Sequence, residues 1–137
     1  MNPPAPATSF DTLPLPPHVL ANLAQLGYVE MTPIQAAALP AALASQDLIA
    51  QAKTGSGKTA AFALAMLDKL NPRHFGVQTL VLCPTRELAE QVAVETRRLA
   101  RAEENIKVLT IVGGVPVRNQ LTSLEHGAHV VVGTPGP

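Results

Sequence analysis

The stretch Ala52-Lys53-Thr54-Gly55-Ser56-Gly57-Lys58-Thr59 decides the fold of this chain. It fits the pattern G-x-x-x-x-G-K-[ST], except that Ala52 stands at the first glycine position. In that pattern the glycines let successive backbone N–H groups point at phosphate oxygens, and the following helix adds the positive end of its dipole. The alternative is a chance Gly-Ser turn before a helix, but three of the four fixed or restricted positions match, namely Gly57, Lys58 and Thr59. We therefore predict a phosphate-binding loop.

Two side chains of this loop are predicted to bind a nucleotide directly, in addition to the backbone N–H groups. Lys58 is expected to reach the β- and γ-phosphates, and the Thr59 hydroxyl is expected to ligate Mg²⁺. These two residues are the catalytic candidates, and Thr59 is also the predicted metal ligand. Lys53 is equally well explained as a solvated loop charge. The other residues of the predicted cofactor-binding loop are Ala52, Thr54, Gly55, Ser56 and Gly57.

Outward from the loop, apolar strands alternate with helices along the rest of the chain. We predict strands over Asp47–Ala52, Gln78–Cys83, Ile106–Val112 and Ala128–Val132, and helices over Lys58–Leu70, Arg86–Ala102 and Val117–His126. This order, with strands that are apolar throughout, predicts right-handed crossovers and a parallel sheet that helices cover on both faces. The predicted fold class is therefore α/β.

The segment before the loop has a different composition. Six of the first 17 residues are Pro, which predicts a loose or surface-bound leader over residues 1–17. A first helix is expected to follow and to stop at Gly27. Thr32 and Pro33 then fit the N-cap and the first position of a second helix, which Pro40 would kink or divide.

Composition limits the class of protein. The 137 residues have the size of one domain, with 47% apolar residues and ten positive against ten negative charges. The balanced charge gives no signal for nucleic acid. No apolar run approaches the roughly 20 residues of a membrane span and no signal peptide is recognisable, so we expect a cytoplasmic protein without a membrane partner. The single Cys83 excludes an internal disulfide, and the four histidines have no metal-binding spacing.

Three further predicted strand ends carry unusual sequences. They are Pro84–Ala89 (PTRELA), Gly113-Gly114 and Thr134-Pro135-Gly136. Parallel α/β sheets bind ligands beyond the carboxyl ends of their strands. These motifs and the phosphate loop therefore lie on the side of the predicted sheet where a functional site is expected.

Together the motifs resemble the N-terminal RecA-like domain of DEAD-box RNA helicases, and within that family most closely the bacterial DbpA type. The resemblance extends over nearly the whole chain. It rests on a Q motif with an upstream aromatic residue, on motifs I and Ia, and on a glycine pair followed by motif Ib: Gly27–Gln35 with Phe10, Ala52–Thr59, Pro84–Ala89, Gly113-Gly114 and Thr134–Gly136. It implies a RecA-like P-loop domain that uses ATP and Mg²⁺.

The resemblance also implies roles for single residues. Gln35 would read the N6/N7 edge of adenine, and Tyr28 or Phe10 would cover the ring. Judged without the motif, Gln35 also fits a solvated helix position, Phe10 an anchor for the leader, and the glycine pair a simple tight turn. The residues implied in contacts with the sugar-phosphate backbone of RNA are Thr85, Arg86, Gly113, Gly114, Thr134 and Gly136.

The sequence departs from the family pattern at its end. Pro137 stands where the family has Arg, and the chain contains neither an Asp-Glu-Ala-Asp motif nor a second RecA-like domain. We therefore expect a fragment, truncated before the last strands of the sheet and inactive as an ATPase by itself. Its expected organisation is a Pro-rich leader over 1–17, a Q-motif helical segment over 18–46 and an incomplete RecA-like ATP-binding domain over 47–137.

Two functions fit these observations. The chain is either the nucleotide-binding part of an ATP-dependent RNA helicase, completed by a second domain, or a standalone non-catalytic module that binds ATP or ADP and acts by interaction. The gene sequence beyond Pro137 distinguishes them. An Asp-Glu-Ala-Asp motif shortly downstream supports the helicase, and a stop codon supports the module.

Overall fold

The computed structural model describes residues 8–135, in two compact units that divide between Asp68 and Lys69. In the first unit, a short 3-10 helix (Phe10–Thr12) precedes α1 (Pro17–Gln25), α2 (Pro33–Leu43) and α3 (Lys58–Asp68). The second unit contains β1 (Thr79–Leu82), α4 (Arg86–Ala100), β2 (Val108–Ile111), α5 (Val117–Glu125) and β3 (Val130–Gly133). None of these helices is long and apolar enough to cross a membrane.

Helices α1 and α2 are bounded by the residues that the sequence predicts. Gly27 has a φ of +88° and its N–H donates to the Ala24 carbonyl (3.1 Å), which ends α1. At the start of α2, the Thr32 hydroxyl accepts from the Gln35 N–H (3.4 Å), and the Gln35 side chain accepts from the Thr32 N–H (2.9 Å). This reciprocal capping box confirms Thr32 as the N-cap.

Helix α2 continues through Pro40, so of the two predicted outcomes the division is wrong, and the kink stays a prediction. Proline lacks the N–H that would bond to the Ala36 carbonyl, which removes one hydrogen bond from the helix. The preceding turn is buried at Ala38 and Leu39, and α2 packs against α3. This apolar packing holds the helix together across the missing bond.

The predicted strand Asp47–Ala52 is not formed, which corrects the sequence analysis. Leu48 is 43% exposed and Ile49 is 95% exposed. A strand needs a neighbour to pair its N–H and C=O groups, and within residues 8–135 no strand pairs with this segment. The phosphate loop is therefore preceded by a segment without regular secondary structure rather than by a sheet strand.

The second unit is built on a parallel three-stranded sheet in the order β1-β3-β2. All four residues of β3 are buried. Both outer strands pair with β3 and end in register, with Leu82 and Ile111 each opposite Gly133. Helix α4 packs against β2 and β3, and its buried residues include Ala89, Val92, Ala93, Leu99 and Ala100. The predicted α/β fold, with parallel strands flanked by helices, is confirmed.

We predicted that helices cover both faces of the sheet, but one face of β1 is not covered. Leu80 and Leu82 are each 61% exposed, whereas Thr79 and Val81 between them are half-buried. The period of two shows that one face of β1 is open. The helices of this unit pack mainly on β2 and β3, which explains the difference.

The buried side chain of His129 joins segments at the amino ends of the strands. Its Nδ1 accepts a hydrogen bond from the Lys107 N–H (3.0 Å), and its Nε2 lies 2.8 Å from the Pro72 carbonyl oxygen. Because a backbone N–H is a donor, the proton of the neutral ring is on Nε2, which donates to Pro72. The Phe75 ring packs beside it, with ring centroids 4.7 Å apart. His129 is thus a packing residue.

Cys83 is the buried thiol that the apolar run predicts. It extends the sheet pairing by one residue, since its N–H donates to the Gly133 carbonyl (2.8 Å). Burial raises the pKa of the Cys83 thiol, so the thiol is protonated at neutral pH. A protonated thiol is a poor nucleophile.

Candidate functional site

The phosphate loop begins as a tight turn and ends in the first turn of α3. The Ser56 N–H donates to the Lys53 carbonyl (3.1 Å), and Gly55 and Gly57 have φ angles of +83° and +90°. Glycine adopts these left-handed conformations without strain. Since α3 begins at Lys58, the first N–H groups of the helix have no acceptor within it. Such a helix end favours an anion.

Gln35 connects α2 to this loop. Its Nε2 donates to the Gly57 carbonyl (3.1 Å), and its Oε1 accepts from the Thr32 N–H (2.9 Å). The side chain is only 2% exposed, so it is not the solvated residue that the alternative interpretation described. A primary amide has two donor hydrogens and two acceptor lone pairs, which leaves one of each unused.

A side chain at Gly57 would meet the Gln35 and Thr32 side chains at the start of α2. A Cβ atom added there would overlap the Gln35 Nε2 and would come within 3.1 Å of the Thr32 Oγ1. At Gly55 an added Cβ would meet nothing within 4 Å. A larger residue at position 57 would therefore have to displace the Gln35 amide, and it would also be strained by the positive φ.

The donor groups of the loop fit a nucleoside phosphate. Lys58 and Thr59 are half-buried at the first two positions of α3, Ala52 is half-buried before the turn, and Thr54 is exposed on it. The Ser56 Oγ is buried without a hydrogen-bond partner, the one such side-chain atom within residues 8–135. An ammonium group, free helix N–H groups and an unused hydroxyl donor are the groups that phosphate oxygens accept from. The Thr59 hydroxyl is a hard oxygen ligand of the kind that Mg²⁺ prefers.

Phe10 occupies the anchoring position that the sequence left as an alternative. It is 2% exposed, and its ring packs edge-to-face on Tyr28 with centroids 5.9 Å apart. Its N–H also donates to the Val29 carbonyl (3.3 Å). Phe10 therefore attaches the described part of the leader to the first unit. Tyr28 is half-buried and is the better placed of the two aromatic residues to meet a ligand.

In the second unit, the predicted RNA-contacting residues follow strands that end in register. Thr85 is the N-cap of α4, where its hydroxyl accepts from the Leu88 N–H (3.2 Å). Arg86 is exposed in the first turn of α4, and one guanidinium nitrogen lies 3.0 Å from where a Cβ of Gly114 would be. The structure thus brings Arg86 and the glycine pair together. Gly114 has a φ of +79°, as a tight turn requires.

Thr134 continues β3 beyond its last residue. Its N–H donates to the Ile111 carbonyl (3.1 Å), and the residue is half-buried. It therefore lies at the same edge of the sheet as the loops after β1 and β2. Gly136, the remaining predicted RNA contact, lies outside the described residues.

Gln120 is a residue that the sequence analysis missed. From α5, its Oε1 accepts from the Val112 N–H (2.8 Å) and its Nε2 donates to the Val115 carbonyl (3.3 Å). It therefore closes the loop that contains Gly113 and Gly114. A single glutamine on an amphipathic helix has no sequence signal for this role, because the two bonds depend on the loop being folded back onto the helix.

Comparison with known proteins identifies the family. The sequence model described as DEAD/DEAH box helicase matches residues 32–137, well over half of the chain. This chain belongs to the DEAD/DEAH box helicase family. The match includes the capping box of α2, the phosphate loop and the loops at the strand ends. The DEAD-box resemblance inferred from the motifs is confirmed.

Curated DEAD-box helicases align with almost the whole chain. ATP-dependent RNA helicase DbpA of Escherichia coli (strain K12) is 59% identical over 130 residues. DEAD-box ATP-dependent RNA helicase CshA of Geobacillus kaustophilus (strain HTA426) is 43% identical over 129 residues. Each alignment covers 94% of this chain but only 28% and 27% of those proteins. The chain therefore spans about a quarter of the length of these relatives.

Solved DEAD-box structures share the fold. The crystal structure of a DEAD box protein from the hyperthermophile Methanococcus jannaschii has a TM-score of 0.88 at 38% identity, covering 94% of this chain and 35% of that one. The structure of S. cerevisiae Dbp5 bound to RNA and ADP BeF3 has a TM-score of 0.83 at 37% identity, and the match covers 95% of this chain and 32% of the Dbp5 chain. These similarities support the RecA-like assignment.

Proposed function

We propose that this chain is the nucleotide-binding N-terminal part of an ATP-dependent RNA helicase. The observation that carries the proposal is the hydrogen bond from the Gln35 Nε2 to the Gly57 carbonyl. It joins the predicted base-reading residue to the predicted phosphate loop in a single hydrogen-bonded set. The unused donor and acceptor of the Gln35 amide match the acceptor and donor on the adenine edge. The RNA helicase names of the relatives favour this function over a standalone module.

Each residue of the phosphate loop has a proposed task toward ATP. Gly55 and Gly57 present backbone N–H groups to phosphate oxygens, and Lys58 supplies positive charge at the β- and γ-phosphates. The Thr59 hydroxyl holds Mg²⁺, which when bound neutralises charge on the phosphates during transfer. We assign these tasks to the segment 47–137, and adenine recognition to the segment 18–46, with Tyr28 beside the base.

Adenine nucleotides are expected to bind more tightly than guanine nucleotides. Guanine presents an N1–H donor and an O6 acceptor, which do not match the free positions of the Gln35 amide. Each neutral hydrogen bond contributes about 0.5–1.5 kcal/mol, so Gln35→Ala should weaken ADP binding several-fold. Calorimetric titration with ADP and GDP measures both effects.

Two further measurements make this test decisive. Gln25→Ala is a matched control, because Gln25 is an exposed glutamine at the end of α1, and it should leave both affinities unchanged. Equal affinities of the wild-type chain for ADP and GDP would contradict the assignment of Gln35 to adenine.

We propose that the second unit contributes contacts to the backbone of single-stranded RNA. The supporting observation is that Arg86 lies beside Gly114 while Thr85 and Thr134 follow neighbouring strand ends. A cation in the first helical turn is unfavourable with the helix dipole, which favours a ligand as the reason for Arg86. Gly113 and Gly136 complete the proposed set. Contacts to phosphate and sugar do not discriminate bases.

Arg86→Ala is expected to weaken RNA binding by a similar factor for unrelated single-stranded sequences. Loss of one phosphate contact should also reduce the slope of log affinity against log salt concentration by about one. Fluorescence anisotropy with several oligonucleotides over a salt series measures this. Arg101→Ala, which removes an exposed charge after the end of α4, is the matched control. A strong preference of the wild-type chain for one sequence would contradict contacts limited to the backbone.

The enzymatic part of the proposal concerns the longer protein. We propose that a second RecA-like domain and an acidic motif complete the ATPase, and that the activity is cytoplasmic and stimulated by RNA. Phosphate release should therefore be absent for the 137-residue chain and present for the full-length protein with RNA. A rate of phosphate release by the 137-residue chain above that of its Lys58→Ala variant would contradict the proposal that the ATPase needs the longer protein.

A further inference from the structure

The turn between β2 and α5 is fastened by the side chain of Gln120. Its Oε1 accepts a hydrogen bond from the Val112 N–H (2.8 Å), and its Nε2 donates to the Val115 carbonyl (3.3 Å). Val112 precedes the pair Gly113-Gly114 and Val115 follows it, so one amide bridges the two ends of the turn. Val112 is only 5% exposed, and a buried N–H that loses its partner is destabilising, which holds the bond to Gln120 in place.

The bridge matters because the two residues between its ends are glycines. Gly114 has a left-handed φ of +79°, and a glycine can leave that conformation at little steric cost. An unfastened glycine pair therefore samples many backbone conformations, and this freedom is lost when the turn is fixed. By joining Val112 to Val115, Gln120 reduces the freedom of the turn before any ligand is present.

The same turn borders Arg86, which comes from a different loop. A Cβ atom at Gly114 would lie 3.0 Å from one Arg86 guanidinium nitrogen, so the cation lies against the backbone of the turn. Arg86 begins α4, which follows β1, whereas the turn follows β2. The two loops meet across the end of β3, because Leu82 and Ile111 both pair with Gly133. A displaced turn would therefore change the surroundings of the guanidinium.

We propose that Gln120 is a positioning residue for RNA binding. It holds the Gly113-Gly114 turn and, through Gly114, the Arg86 guanidinium in the arrangement that meets a phosphate. The inference rests on the proposed contacts of the second unit with the RNA backbone. Gln120 acts in the free chain, since both of its hydrogen bonds form without RNA. When only a fraction of the free molecules has the competent turn, the observed affinity is reduced by that fraction.

Gln120→Met tests the inference, because the thioether of methionine cannot donate a hydrogen bond and is only a weak acceptor. The affinity for unrelated single-stranded RNA oligonucleotides should fall by about three- to tenfold, the factor expected if the competent turn drops to about a third to a tenth of the free molecules. Fluorescence anisotropy well below the melting temperature of each variant measures this. Gln91→Met is the matched control, because Gln91 is an exposed glutamine of α4 in the same unit, and its RNA affinity should be unchanged.

A double-mutant cycle separates positioning from a general loss of stability. If Gln120 acts through Arg86, Gln120→Met should weaken RNA binding less in an Arg86→Ala chain than in the wild type, because the cation that it positions is gone. A residue that only stabilises the fold would lower the melting temperature, and its substitution would change the RNA affinity by the same factor in both chains.

Unchanged RNA affinity of Gln120→Met would overturn the inference, as would equal factors in the two chains. If Gln120→Met does not fold, the same cycle is run with Gln120→Asn, whose shorter side chain draws the amide away from the turn, and the same two outcomes decide. If the wild-type chain itself does not bind single-stranded RNA, the proposed RNA contacts fail first, which is a distinct result.

Discussion

Replacing Lys58 by Ala is expected to remove most of the affinity for ADP while α3 stays folded. The ammonium group donates hydrogen bonds to charged phosphates, and each such bond contributes about 1.5–3 kcal/mol. That corresponds to a loss of about tenfold to more than a hundredfold in affinity. The helix itself should gain slightly, because Ala has the better propensity and a cation at a helix N-terminus opposes the dipole.

Calorimetric titration with ADP measures the loss, and circular dichroism with thermal unfolding shows whether α3 is retained. Lys53→Ala is a matched control in the same loop, where Lys53 is exposed and precedes the helix. Its effect on affinity should be small by comparison. A Lys58→Ala chain that melts normally and still binds ADP like the wild type would refute the phosphate-loop assignment.

Gly57→Ala is expected to destabilise the first unit strongly and to weaken nucleotide binding. An L-residue in the left-handed region is disfavoured by about 1–2 kcal/mol. Overlap of the new methyl group with the Gln35 amide adds about 1–3 kcal/mol, the usual effect of overpacking. The added methyl should also break the bond between Gln35 and the loop. We therefore expect a lower melting temperature together with weaker ADP binding.

Two comparisons separate the backbone strain at position 57 from the steric overlap of the new methyl group with Gln35. Gly55→Ala carries a similar φ penalty, but its methyl group would meet nothing within 4 Å, so it should destabilise less. In the double variant Gln35→Ala/Gly57→Ala the overlapping amide is gone, and part of the stability should return relative to the sum of the single changes. Equal melting temperatures for Gly55→Ala and Gly57→Ala would show that the contact with Gln35 contributes nothing.

Local signals in the sequence predicted the helices and the parallel strands of the second unit well. Thr32 and Gly27 act within one helical turn, so their capping roles can be deduced without knowledge of the fold. The strand Asp47–Ala52 could not be predicted in the same way. An apolar run identifies a segment that suits a sheet, but a strand exists only when a partner lies beside it. The exposed Ile49 reflects that missing partner.

The sequence could name the candidate residues of the site, but it could not show which of them contact each other. The spacing of Gly55, Gly57 and Lys58 is a local pattern, so the sequence alone predicts a phosphate loop at these residues. The bond between Gln35 and the Gly57 carbonyl joins residues 22 positions apart. It depends on how α2 packs against α3, which no local pattern encodes. The unsatisfied Ser56 hydroxyl was unpredictable for the same reason, because hydrogen-bond satisfaction is a property of the packed structure.

The position of β3 between β1 and β2 has a consequence for the order of folding. β1 and β2 emerge first during synthesis, yet within residues 8–135 neither pairs with the other. In this described part of the chain, their sheet partner is Val130–Gly133, which is made last. Assembly of the sheet is therefore a late, long-range event that closes loops of tens of residues at once, and such topologies fold slowly. Until then, α4 is the part of the second unit best able to form early, because its hydrogen bonds are local.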